Sequence, residues 1–88
     1  MNAKQKEIKQ NFDRTDIKMF VKFCKETMVP DDEISVMFAN LKISAKCWQI
    51  NVGTDSYTKI EIRRQGETLS MAYDHQNNNW LPQVYGGN

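Results

Sequence analysis

The chain has 88 residues, of which 40% are hydrophobic and 26% are charged, and its formal net charge is +1. This length predicts one domain with a thin core, and the low net charge excludes a chain that stays disordered through charge repulsion. No apolar run approaches the roughly 18 residues that span a bilayer, and the polar start lacks the apolar stretch of a secretory signal. We therefore expect a cytoplasmic protein that does not contact a membrane.

The first predicted element is helical. Residues 3–28 contain neither Gly nor Pro, and the Val29-Pro30 pair ends the pattern. The segment is either one helix or two, because Thr15 is a suitable N-cap for a second helix. Residues 1–25 carry seven basic and three acidic side chains, a net charge of +4. We therefore expect residues 1–28 to form a basic amphipathic helix or helical pair.

A helical wheel divides this segment into three sectors at about 100° per residue. The core stripe, at the i, i+3, i+4, i+7 spacing, comprises Ile17, Phe20, Val21, Cys24 and Met28. A second apolar stripe beside it comprises Ile8, Phe12, Met19 and Phe23. The basic face on the opposite side comprises Arg14, Lys18, Lys22 and Lys25. The two apolar stripes together are wider than the roughly 100° that one supporting surface buries, so we expect a second partner for this helix.

Residues 31–41 decide whether that partner is internal. Acidic residues directly after Pro30 suit a helix N-terminus, and Ile34, Met37 and Phe38 share one helical face. We favour a short helix here, which would cover the second apolar stripe. The alternative is a strand, because Ile34, Val36 and Phe38 also alternate. A strand would leave the stripe without an internal partner and would favour dimerisation or docking.

Three alternating segments follow and predict an antiparallel meander over residues 43–75. In its first strand, the alternation assigns Trp48, Ile50 and Val52 to the apolar face. Residues 76–88 are expected to be a loop and C-terminal tail, with either a short edge strand or a packing tail at 80–85 and a frayed end at 86–88. The predicted fold class is α+β, with the N-terminal helix or helical pair packed on one face of a three- to four-stranded antiparallel meander.

The adjacent Arg63 and Arg64 suggest a nucleic-acid site, but the hairpin argues against it. A two-residue loop at Gly66-Glu67 would pair Arg64 with Leu69 and Arg63 with Ser70. Neighbouring strand residues point to opposite faces, so the two guanidinium groups cannot converge on one phosphate. The pair is therefore expected to be structural.

The basic face is the better candidate for a charged partner. Arg14, Lys18, Lys22 and Lys25 converge over roughly 16 Å of helix, at 1.5 Å per residue. A solvated outer face without a partner is the simplest interpretation. If the face is functional, we expect a protein partner more than nucleic acid, because the polar sheet face lacks the interleaved aromatic residues of single-strand binders. Trp80 is predicted to anchor the C-terminal tail, with an exposed hot spot for a partner as the alternative.

Catalytic and metal chemistry have little support in these residues. His75 follows Asp74 in a polar loop, but adjacent side chains seldom face each other and no nucleophile is indicated. Cys24 and Cys47 form no CxxC pair and are expected to be reduced core residues. We therefore predict no catalytic residue, no metal site and no cofactor.

Two function classes fit these observations. The first is a small non-enzymatic protein-binding module, such as an inhibitor, adaptor or immunity-type protein, of the kind that phages and mobile elements often encode. Its partner would be another protein of unknown identity or a second copy of the chain. The second is a nucleic-acid-binding regulator that uses the basic face. A small ribonuclease with His75 and an arginine is a distant third.

Overall fold

The computed structural model describes residues 1–38 and 40–87. Two helices precede six strands, and the elements are α1 (Ala3–Phe12), α2 (Thr15–Thr27), β1 (Glu33–Phe38), β2 (Leu41–Val52), β3 (Asp55–Arg64), β4 (Glu67–Asp74), β5 (Asn79–Trp80) and β6 (Val84–Gly87). The strands form one antiparallel sheet in the order β1-β2-β3-β4-β5, and β6 also pairs with β4. The α+β class is confirmed, with more strands than the three or four expected.

The helical segment is a pair. In α1, Asn2 caps the helix through a capping box with Gln5. The pair separates around Asp13, and α2 begins at Thr15 with Arg14 in the N-cap position. Thr15 is therefore the first helical residue, not the predicted cap. Because α1 and α2 have separate axes, a single helical wheel does not describe which of their residues share a face.

Both helices pack on one face of the sheet, which we call the inner face; the opposite one is the outer face. The buried hydrophobic residues belong to the two helices and to the inner face, and they are Ile8, Phe12, Ile17, Phe20, Val21, Cys24, Ile43, Ala45, Cys47, Ile60, Ile62, Leu69, Met71 and Tyr85. Met28, Ile34, Phe38 and Trp80 border this core as partly buried residues. The core stripe predicted for α2 is therefore confirmed.

The predicted helix over 31–41 is wrong, because residues 33–38 form strand β1. The acidic residues that suggested a helix N-terminus form a turn instead: Asp31 has a positive φ of 79°, and the Asp32 carboxylate accepts from the Val29 N–H at 2.9 Å. Cys47 N–H then donates to the Asp32 carbonyl at 2.9 Å, which aligns the chain with β2. The part of the predicted helix at residue 39 lies outside the described residues.

Strand β2 changes its apolar face along its length. Ile43, Ala45 and Cys47 are buried on the inner face, whereas Trp48 and Ile50 are half-buried on the outer face. The expectation that Trp48, Ile50 and Val52 form the core side is therefore wrong. On the outer face Ile50 lies opposite Tyr57, and such cross-strand pairs stabilise a sheet without helix cover.

The β3–β4 hairpin turns at Gln65-Gly66, one residue earlier than predicted. Both residues have positive φ, 49° and 75°, as a type I′ turn requires. The ladder therefore pairs Arg64 with Glu67 and Arg63 with Thr68. The predicted separation of the two arginines is nevertheless confirmed. Arg63 is exposed on the outer face and Arg64 is buried on the inner face.

Arg64 belongs to a buried polar contact between the hairpin and α1. Its Nη1 donates to the Glu67 carboxylate at 3.2 Å, and Asn11 Nδ2 donates to both oxygens of that carboxylate at 3.1 and 3.0 Å. Both charged side chains are almost fully buried. The contact joins α1 to the hairpin and gives the Arg64 Nη1 group a structural role, while the buried Arg64 Nε has no hydrogen-bond partner within the described residues.

The C-terminal tail pairs with the sheet at residues that were expected to be frayed. Gly86 and Gly87 belong to β6, opposite Thr68 and Glu67, so the expectation of a frayed end is wrong for these two residues. Gly87 has φ 128°, and a Cβ there would lie 2.3 Å from the Gly66 carbonyl oxygen. Only glycine allows this close approach of two backbones. Asn88 lies outside the described residues.

Candidate functional site

The second apolar stripe is divided by the break between the helices. Ile8 and Phe12 of α1 are buried in the core, whereas Met19 and Phe23 of α2 are 67% and 52% exposed. The first pair has an internal partner, since the Phe12 ring lies 6.3 Å from the ring of Tyr85. The second pair has no such cover, so this half of the stripe remains a candidate docking surface.

The uncovered half lies on the flank of α2 that faces β1. Phe20 points to that side, because its ring centroid lies 6.4 Å from the ring centroid of Phe38 at the end of β1. Phe23 is three residues after Phe20 and Met19 is four residues before Phe23, so the three are neighbours on the helix surface. Two hydrophobic residues of β1 are also exposed: Val36 by 38% on the inner face, and Met37 by 68% on the outer face. We call Met19, Phe23 and Val36, which lie on the same side of the sheet, the edge patch.

Strand β1 offers an open hydrogen-bonding edge beside this patch. The Asp32–Cys47 hydrogen bond lies just before the ladder, and bonded pairs alternate along antiparallel strands. The alternation therefore directs the N–H and C=O groups of Glu33, Ser35 and Met37 away from β2. Residues 34–38 contain no charged residue and no proline, the usual protections of a sheet edge. The strands at the opposite side of the sheet are shorter, with two and four residues.

The basic face of α2 is partly neutralised. Arg14 pairs with Asp16 at 3.0 Å, and Lys22 pairs with Glu26 at 3.8 Å. Lys18 is exposed and has no ion pair within residues 1–38 and 40–87. Lys25 is half-buried and places its Nζ 4.9 Å from the centre of the Trp80 ring. The four side chains therefore do not act as one free cationic stripe.

Lys25 and Trp80, which the sequence analysis treated separately, belong to one cluster at the end of the inner face. Pairing of β5 with β4 sets Trp80 beside Tyr73, and their ring centroids are 5.4 Å apart at 72°. The ring centroids of His75 and Tyr73 are 5.1 Å apart, and the two ring planes also meet at 72°. The His75 Nε2 and the Thr58 hydroxyl are 2.7 Å apart and share a hydrogen bond. We call Lys25, Thr58, Tyr73, His75 and Trp80 the aromatic-lysine site.

A hollow of about 250 Å³ lies within this site, with Met28 and Ile60 completing its wall. Tyr73 and Thr58 were not predicted as members of the site. One signal was present: inner-face residues of neighbouring strands meet, so an alternation that included the tail would have placed Tyr73 next to Trp80. The position of Lys25 had no such signal, because it depends on where α2 crosses the sheet.

The Asp74-His75 neighbours do not form an acid-base pair. Asp74 accepts from Gln76 N–H at 3.0 Å and from Asn77 Nδ2 at 2.8 Å. The hydrogen bond from the Asn77 side chain, followed by those from the backbone, lowers the pKa of Asp74 below its ordinary value of 3.8. Asp74 therefore holds the turn before β5, and His75 bonds to Thr58 instead.

Two further features have structural explanations. On the outer face, a shallow hollow is lined by the opposite charges of Lys46, Glu61 and Arg63, and Arg63 Nε donates to Glu61 at 2.6 Å. Cys24 and Cys47 are free and buried, and burial raises the pKa of the Cys24 thiol to about 11. Within the described residues, no three His, Cys, Asp or Glu side chains are grouped to hold a metal ion.

Comparisons of the chain with protein-family models, with curated proteins and with solved structures found no significant match. Across the helices of the described residues, none has the length and apolar character to cross a membrane.

Proposed function

We propose that this chain is a small non-enzymatic protein-binding module, of the inhibitor, adaptor or immunity type, that docks on another protein through the edge patch. The observation that carries the proposal is the exposure of Phe23 and Met19 beside an unprotected edge strand. The partner contributes an extended segment that adds a strand to β1.

The hydrogen-bonding groups of β1 support strand addition. Ser35 and Met37 direct backbone donors and acceptors to the open edge, and an extended peptide satisfies such groups by pairing with them. Residues with apolar side chains in the added strand would extend the inner face beyond Val36. These apolar side chains would then contact Phe23, which lies on the flank of α2 toward β1.

The exposed apolar area supports a specific contact. With roughly 150–200 Å² for side chains of this size, the exposed fractions of Met19, Phe23 and Val36 correspond to about 240–310 Å² of apolar surface. A patch of roughly 300–600 Å² is the largest that a typical monomer exposes, and it is often functional. A standard interface buries about 800 Å² on each partner. The paired backbone of β1 and the surrounding rim would contribute the remainder.

The test combines capture from the native host with matched variants. Met37→Lys places a charge on the open edge, and Phe23→Ser removes the apolar ring from the α2 flank. Val52→Lys is the control, because Val52 is 61% exposed at the far end of β2. We expect one stoichiometric protein with the wild type and the control, and at least about tenfold less with either edge variant. Circular dichroism checks that all variants fold.

Capture of a protein is not sufficient by itself. A partner retained equally by Met37→Lys and Phe23→Ser would refute docking at the edge patch, and so would a monomer that retains no protein. Sedimentation addresses the other occupant. A dimer that Met37→Lys dissociates would assign the surface to a second copy of the chain, contrary to the proposal.

A further inference from the structure

The aromatic-lysine site lies on the opposite flank of α2 from the edge patch. Phe23 and Lys25 are two residues apart, which places them about 160° apart around the helix axis. The site brings together three rings, a cation and a hollow of about 250 Å³, and protein docking at β1 uses none of them. It is therefore independent of the proposed function.

We propose that the aromatic-lysine site binds an aromatic base that carries phosphate, either as a free nucleotide or within single-stranded nucleic acid. The rings supply the surface for the base, and the lysines of α2 supply the charge for the phosphate. The basic face would then contact the phosphate, and the aromatic rings, which were not predicted as part of a binding site, would contact the base.

The rings have the composition and placement that base stacking uses. Trp80 and Tyr73 are half-buried, so each keeps part of its surface toward the hollow, and His75 is exposed at its rim. Met28 and Ile60 add apolar walls, from which a planar base displaces water. Single-strand binders stack bases on rings of this kind with little preference for sequence. The Thr58 hydroxyl and the His75 imidazole add polar groups for the edge of the base.

The phosphate would lie along α2. Lys18, Lys22 and Lys25 share one flank at the spacing i, i+4, i+7 and span roughly 10 Å of the helix. Lys25 is next to the rings, and the exposed Lys22–Glu26 contact of 3.8 Å is weak enough for a phosphate to replace it. Asp74, which precedes His75 in the chain, belongs to the outer face of β4, and its carboxylate is engaged by Asn77. The site therefore presents cations without a competing free carboxylate from β4.

The experiment uses the fluorescence of Trp80. The chain has two tryptophans, so Trp48→Phe leaves Trp80 as the single reporter. The probes are adenosine monophosphate and a mixed-sequence single-stranded oligonucleotide of about 12 residues, titrated at about 50 mM salt. We expect quenching of Trp80, and a roughly tenfold loss of oligonucleotide affinity when the salt is raised to about 200 mM.

Matched variants locate the contact. Lys25→Gln is expected to weaken oligonucleotide binding at least about fivefold and to reduce the salt slope by about 0.7, the value of one lost phosphate contact on a single strand. Lys42→Gln is the control, since Lys42 is an exposed lysine on the outer face of β2 and its removal changes the net charge equally. Both substitutions remove surface charge and leave the core residues intact.

The outcomes separate the two sources of the base. Quenching by both probes would show that a free nucleotide is sufficient for binding. Quenching by the oligonucleotide alone would show that the ligand is a single strand. No quenching by either probe at millimolar concentration would overturn the proposal, and the cluster would then only seal the end of the core. Equal losses in Lys25→Gln and Lys42→Gln would also overturn it, because binding would then reflect net charge and not this site.

Discussion

The two flanks of α2 differ in what the sheet places beside them. On one flank the sheet continues to β1, where Val36 is 38% exposed, and Phe23 remains exposed at 52%. On the other flank the tail returns as β5 and sets Trp80 against Lys25. A basic side chain is therefore packed while an aromatic one stays in solvent. The neighbouring strands, and not the hydrophobicity of a helix residue, therefore decide which flank is buried.

The largest difference in the free energy of unfolding is expected between substitutions of two phenylalanines on the same flank of α2. Phe20 is buried against Phe38, so Phe20→Ala should lower the free energy of unfolding by about 3 kcal/mol, through lost transfer energy and a cavity. Phe23→Ala should change it by about 0.5 kcal/mol or less, because the ring is already half in solvent. Urea denaturation of both variants measures the difference. Similar losses for the two would show that Phe23 belongs to the core and would remove the edge patch.

The second prediction concerns the turn that positions the aromatic-lysine site. The lowered pKa of Asp74 means that its ionised form stabilises the fold above its ordinary value of 3.8, and that this contribution disappears as the pH falls through the lowered pKa. Asp74→Asn should therefore be less stable than the wild type at pH 7, and the difference should shrink as the pH falls below the lowered pKa of Asp74. Thermal unfolding across this range measures the gap. Asp55→Asn is the control, since Asp55 is exposed and its side chain makes no hydrogen bond within the described residues.

A gap that persisted at low pH would contradict the prediction. It would show that Asp74 acts through packing or through its neutral form, and the position of Trp80 would then not depend on an ionised turn.

The smallest expected effect separates the lysines of the basic flank. Lys25→Gln removes a cation from the Trp80 ring and should lower the free energy of unfolding by about 0.5–1 kcal/mol. Lys18→Gln, at an exposed position, should leave it within about 0.5 kcal/mol. Near-ultraviolet circular dichroism should also change only in Lys25→Gln, because that signal reports the surroundings of the tryptophan ring. An unchanged spectrum in both would place Lys25 in solvent.

The local sequence pattern predicted the hairpins and the face of the sheet on which each arginine lies. Gly66 marked a turn, and strict alternation sent Arg63 and Arg64 to opposite faces even though the predicted register was shifted. A register error of two residues preserves the faces, since side chains repeat every second residue. The face of a strand residue is therefore more predictable than its partner.

Longer-range packing was not predictable in the same way. Residues 31–41 have a pattern that fits both periods, and β1 forms because the Asp32–Cys47 hydrogen bond aligns it with β2. In β2 the apolar residues lie on the inner face before Trp48 and on the outer face from Trp48 onward. The alternation from Trp48 to Val52 did not show this change of face. Both misassignments concern the edge or the end of the sheet, where cover by a helix decides burial.

Residue type and local periodicity were enough to predict the α+β class, the amphipathic helices, the free buried cysteines and the opposed arginines. They were not enough to predict that Phe12 is covered while Phe23 is exposed, or that Lys25 meets Trp80 across a separation of 55 residues in the chain. These contacts depend on the angle at which α2 crosses the sheet and on where the tail returns. That geometry is set by the packing of the whole core, and no short stretch of sequence encodes it.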